Sequence, residues 1–207
     1  MTEPGDQARA PATGSTRKRG PYANGQQRRE EFVSTALELF ASQGFQRLSL
    51  RRIAEALGVS HAALSYHFSS KEELLEAVFE EQAQRERPAL EQGLAERGIL
   101  DLLPDLLEAN KEIPELIRLD VTILAEAVRS DHSAHAWADQ RMEDGIAAIA
   151  AGLAVEKSRG RLRADLDPEV TAHQIAAMVR GLQLQWLYRR DLPLGEHLRS
   201  YLDLLRP

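Results

Sequence analysis

The chain has 207 residues, 43% hydrophobic and 28% charged, the balance of an ordinary globular protein of one large or two small domains. No stretch is apolar enough to span a bilayer, no apolar signal core stands near the N-terminus, and cysteine is absent. A membrane helix, a disulfide framework and a thiolate metal site are excluded on those grounds, and a cytoplasmic address is expected. The net charge of −6 is unevenly spread: residues 1–75 hold ten Lys/Arg against eight Asp/Glu, and the remainder sixteen against twenty-four. Local charge at a docking face counts for more in nucleic-acid binding than the total.

Residues 1–25 are rich in Gly, Pro, Ser and Thr, with no apolar period, and read as a disordered arm. Arg17, Lys18 and Arg19 form a basic cluster in it, either an arm that reaches DNA or a solvated tail. A first helix is expected over about 26–42, with Phe32, Ala36, Leu39 and Phe40 on its apolar face and Gly44 ending it. Asn24 and Gln27 have the spacing of a capping box at its start.

Residues 49–68, SLRRIAEALGVSHAALSYHF, are the centre of the reading. Leu50, Ile53, Ala54 and Leu57 make one helical face behind an N-cap at Ser49. Gly58 ends that helix, where a left-handed residue is needed, and Ser60 caps a second one running to Phe68. Two helices joined by a tight glycine turn are a DNA-reading unit, the second lying in the major groove. His61 and Ser65 are polar, while Ala62 and Ala63 are small enough for close approach to a groove.

The segment from Arg28 to Leu75 resembles the N-terminal domain of the tetracycline-repressor (TetR) family. Ala36, Leu39, Phe40, Gly44 and Phe45 carry the resemblance first, then Ser49, Ile53, Ala54, Gly58, Val59 and Ser60. Leu64, His67, Phe68, Lys71 and Leu74 complete it. The family usually has an aromatic residue directly after the leucine of its second helix; here Ser65 stands there and Tyr66 follows. The expected DNA contacts are Ser49, Arg51, Arg52, Ser60, His61, Ala62, Ser65, Tyr66, His67 and Lys71, with the arm residues Arg17, Lys18 and Arg19.

A capping box at Ser70 and Glu73 starts a fourth helix over about 71–87, which Pro88 is expected to break. Five further helices are expected to Pro207: one broken by Pro104, one from Pro114, one over about 134–159, one from Pro168 to about Arg190, and one over about 194–205. The domain division is an arm at 1–25, a helix-turn-helix domain at 26–70 and a helical ligand-binding and dimerisation domain at 71–207. The fold class is all-α, with about nine helices.

The helix from Pro168 is apolar on more than one face. Ile175, Val179, Leu182 and Trp186, with Leu198, Tyr201, Leu202 and Leu205, are expected to build a two-fold interface. The resemblance implies the same pairing of the last two helices. It also implies a small-molecule pocket among the core helices, for which Asp120, Leu124, Glu126, Trp137, Met142, Met178 and Gln183 are the candidates. His132 and His135 lack a third ligand for a metal. No nucleophile elbow or phosphate loop is present, so an enzyme is not expected.

These features lead to a ligand-responsive transcriptional regulator without cofactor. It is expected to be a repressor that binds a palindromic operator as a homodimer and is released by a small-molecule effector. The alternatives are an activator of the same fold and, in another class, an all-α carrier or enzyme with a vestigial helix-turn-helix.

Overall fold

The computed structural model describes residues 21–207, with side chains from Gly25 onward, so Arg17, Lys18 and Arg19 lie outside the described residues. Among the described residues there are nine α-helices, one 3-10 turn and no strand. The head is built from α1 (Pro21–Gln43), α2 (Leu50–Ala56) and α3 (His61–Ser65). The body follows as α4 (Lys71–Glu96), α5 (Ile99–Ala109), the 3-10 turn Asn110–Glu112, α6 (Pro114–Glu126), α7 (His135–Ser158), α8 (Pro168–Tyr188) and α9 (Leu194–Asp203).

Local chemistry accounts for most boundaries. Ser49 Oγ accepts the Arg52 amide at 3.3 Å, Ser60 Oγ that of Ala63 at 3.1 Å, and Ser70 Oγ that of Glu73 at 3.1 Å. Asp167 caps α8 through the amides of Glu169 and Val170, with Pro168 in the first turn. Gly58 sits at φ +68, the left-handed conformation the corner between α2 and α3 requires.

Four boundaries differ from expectation. α1 begins at Pro21, so Asn24 and Gln27 lie within the helix instead of capping it. α3 ends at Ser65, because the chain tightens at Tyr66 and His67 to drop Phe68 into the core. Pro88 does not break α4, which runs on to Glu96; the proline lies on a solvent-exposed stretch where the freed carbonyl can meet water. Pro104 likewise stays inside α5, where it is buried.

Two apolar cores result. The first joins Phe32, Phe40, Phe45, Ile53, Leu64 and Phe68 of the head to Leu74, Leu75 and Phe79 of α4 and to Leu119 and Ile123 of α6. It therefore crosses residue 70, and α6 packs directly on α1. The second joins Leu100, Leu107, Leu153, Ile175, Leu182, Trp186, Leu198 and Leu202, with α7 along α8 and α5 against α9.

Candidate functional site

The outer face of the head is polar and built on capped helix starts. Arg51 is exposed and pairs with Glu55 of its own helix at 3.2 Å. Arg52 Nη1 donates to the Arg47 carbonyl at 3.2 Å, which holds the loop entering α2. His61 and Ser65 lie one turn apart on α3 at 3.5 Å, and Ala62 beside them is exposed. Tyr66 is 86% exposed, with its ring edge-on to His67 at 5.2 Å between centroids. His67 packs edge-on against Phe32 at 5.4 Å, so it faces inward toward α1 as well as outward.

Lys71 stands differently from expectation. It is half-buried, its Nζ donates to the Phe45 carbonyl at 3.2 Å, and it lies 4.2 Å over the Phe45 ring. The other side of this loop is closed by His132, stacked on Phe45 at 5.8 Å. His132 Nδ1 accepts the Ala134 amide at 3.1 Å, and His135 Nδ1 donates to the Ala127 carbonyl at 2.7 Å. Sequence reasoning missed Gln27 and Arg28, which flank a depression with Ala63, Tyr66 and His67. Their place within α1, one helical turn ahead of the buried Phe32, was the available signal.

A half-open cavity of about 580 Å³ lies between α4, α6, α7 and α8. Its apolar wall includes Phe79, Ile113, Leu116, Ile117, Ile146 and Ile149. Of the seven pocket candidates, Asp120, Met142 and Gln183 line it. Leu124 and Trp137 instead pack against the first core, Met178 packs against the second, and Glu126 is exposed beside Gly44. The polar wall holds a cluster of which the sequence pointed to Asp120 and Gln183 but not to the two arginines. Asp120 is 3% exposed; its Oδ1 accepts Arg141 Nε at 3.0 Å and its Oδ2 accepts Arg180 Nη1. Arg180 also reaches Gln183 Oε1 at 3.4 Å. Burial pulls both guanidiniums below the ordinary arginine value, and they remain cations throughout the physiological range.

The interface candidates need correction. Ile175, Leu182, Trp186, Leu198, Leu202 and Leu205 are buried inside the chain's own second core, and Val179 lines the cavity. Packing has already used those side chains. The face of α8 that remains open carries Val170, Gln174, Ala177, Gly181, Leu184 and Tyr188, spaced by alternating steps of four and three; Gly181 is half-buried, and Ala177 also borders the cavity. Tyr201 of α9 sits beside it, its hydroxyl 3.5 Å from Gln174 Oε1, and Leu204, just after α9, is also exposed.

An all-helical body carrying a capped helix-turn-helix head defines a DNA-binding transcriptional regulator. Comparison with known proteins gives the family. Residues 32–78 match the model for bacterial regulatory proteins of the tetR family, and residues 95–206 match that for the C-terminal part of BetI-type transcriptional repressors. The chain belongs to the TetR family. It is 32% identical over 156 residues to the HTH-type transcriptional repressor AcnR of Corynebacterium efficiens, covering 74% of this chain and 78% of that one. Among solved structures it is similar to Salmonella enterica GusR, with 27% identity, a TM-score of 0.71, and coverage of 86% of this chain and 94% of that one. A regulator from a Rhodococcus species superposes with a TM-score of 0.73 at 24% identity, over 88% of this chain and all of that one.

Proposed function

We propose that the chain is a homodimeric repressor that leaves its operator when a small molecule fills the body cavity. The observation that carries this is the shared construction of head and cavity. α4 starts at the Ser70 cap in the head and reaches the cavity wall at Phe79, Gln82 and Ala83. α6 lines the same cavity through Leu116, Ile117 and Asp120 and packs on α1. A ligand that prefers one arrangement of α4 and α6 shifts the population of head positions, and so the spacing of two heads in a dimer. Repression is the sense carried by the AcnR relative.

On this reading His61, Ser65 and Tyr66 face the major groove. The hydroxyls of Ser49 and Ser60, the side chains of Arg28 and Arg51, and helix N-termini meet phosphates. Lys71 acts at one remove, by holding the Phe45 loop. The two-fold contact is the open stripe of α8 with Tyr201 and Leu204. The test is a gel shift on the DNA upstream of the protein's own gene across a salt series. Specific binding that weakens steadily with salt is expected; equal affinity for scrambled DNA refutes an operator there.

A further inference from the structure

The buried end of the cavity is unbalanced in charge. Two guanidiniums, from Arg141 on α7 and Arg180 on α8, converge on one carboxylate, Asp120 on α6. The other charged wall residue, Glu86, sits on an exposed stretch of α4, accepts from Gln82 and forms no ion pair with either arginine. His173, the remaining titratable wall group, is exposed on α8. A second counter-charge for the arginine pair is therefore lacking among the described residues. The pair is only about one-third exposed, at 35% and 36%, where an uncompensated charge is costly.

Both guanidiniums also keep donors in hand. Arg141 uses only Nε in hydrogen bonding and Arg180 only Nη1, so the remaining N–H groups of each have no protein partner among the described residues. The aromatic surface nearby is taken. Arg141 lies 4.1 Å over Phe79 and 5.7 Å from the Trp137 centroid, so the faces that could cradle a cationic ligand already carry a cation. Away from the arginines the wall is mainly aliphatic, with Gln82, Asn110 and Gln183 as uncharged polar groups.

We infer that the effector is an amphipathic anion, a carboxylate on an apolar body, whose carboxylate supplies the counter-charge that Asp120 alone cannot. This rests on the cavity being the effector site. The planar fork of a guanidinium matches a carboxylate in a bidentate way, and Ile113, Ile146 and Ile149 take the apolar remainder. Asp120 holds the two arginines together in the free protein. The ligand's carboxylate competes for them and changes how α6 is tied to α7 and α8. Because α6 packs on α1, that change reaches the head.

The experiment varies the head group at constant body. Hexanoate, octanoate and decanoate, their primary amides and the matching alkyltrimethylammonium ions are titrated into the full chain, with calorimetry and thermal shift as readouts. Carboxylates are expected to bind and stabilise, the amides to bind about tenfold or more weakly, and the ammonium ions not at all. Arg180→Gln and Arg141→Gln should each remove that preference for the carboxylate, and Asp120→Asn should strengthen it. The wild-type series stands alone if a variant fails to fold. Equal binding of carboxylate and amide, a preference for the ammonium ion, or binding of none of these probes overturns the inference. A parallel gel shift separates this from the regulator reading. Operator binding without carboxylate binding sinks the effector class alone, and carboxylate binding without operator binding sinks the upstream operator alone.

Discussion

Replacing Leu184 and Tyr188 by alanine should split the proposed dimer while leaving the fold of each chain intact. Leu184 is 46% exposed and Tyr188 85% exposed in the single chain, so neither is held by its own core. Full burial of a side chain of this size contributes about 1.5–3 kcal/mol. Scaled by the exposed fractions, the two together contribute about 2–4 kcal/mol per subunit. A two-fold interface presents the same patch twice, so the double substitution removes about 4–8 kcal/mol from the dimer, a thousandfold or more in its dissociation constant. Sedimentation equilibrium reads the association, and thermal unfolding at low concentration checks that the chain still folds. The contrast is Trp186→Ala with Leu202→Ala. These side chains lie in the second core, and each truncation should cost about 2–5 kcal/mol of the chain's own stability. If the Leu184 and Tyr188 variant stays dimeric at the wild-type dissociation constant, the open stripe of α8 is not the interface.

Three further outcomes are expected. Lys71→Ala should lose the hydrogen bond to the Phe45 carbonyl and the contact with its ring, costing about 2 kcal/mol in thermal unfolding. It should lower the salt slope of DNA binding by clearly less than one unit, and a full unit lost would place its ammonium on a phosphate. The Glu73 carboxyl is held below its usual value by the Ser69 hydroxyl and amide, which donate to Oε2 at 2.7 and 2.6 Å. Its stabilising effect is thus present above the ordinary carboxylate value and lost as pH falls through the lowered one. The stability gap between wild type and Glu73→Gln should close on acidification in denaturant titrations; a gap that widens in acid contradicts the sign. Deleting residues 1–20 should lower affinity for operator and reduce discrimination against scrambled DNA at fixed salt. An unchanged ratio would mean that Arg17, Lys18 and Arg19 carry no sequence information.

The head was readable because its chemistry is local. Ser49, Gly58, Ser60 and Ser70 each do their work within a few residues, and the periodic positions Ile53, Ala54 and Leu64 fall where the core needs them. Misplaced features were those that depend on what lies opposite. α8 shows apolar residues on several faces, and sequence cannot say which face its own chain will cover. Ile175, Leu182 and Trp186 form the larger and more regular stripe, and packing takes those for the second core. The open stripe passes through Gln174, Ala177 and Gly181, which dilute its apolar signal. Asp120 drew notice as a carboxylate on an apolar helix. Its partners did not, because they stand 21 and 60 residues away and resemble surface arginines in the sequence.

If the cavity is the effector site, as proposed, its position gives a route by which filling it would reach the head. Phe79 and Leu116 on its wall belong to the first core, whereas Ile117 belongs to the second. The cavity thus occupies the seam between the two cores. α4 is anchored in the first core from Leu74 to Phe79, then runs exposed from Ala83 to Ala89, where Pro88 also removes a backbone donor. That stretch is poorly supported, so the second half of the helix is a weak lever on the head. The stronger coupling runs through the short segments that the first core already holds together, namely the start of α4 and the middle of α6. A ligand engaging Arg141 and Arg180 from within the seam acts on α6 at Asp120, one turn from Leu116 and Ile123, which are packed into the same core as Phe32 and Phe40 of the head. Close-packed interiors move as units rather than deforming smoothly. On the proposed reading, a change in the seam would be expressed as a shift of the head, with α1 and the first turns of α4, against the remainder of the body.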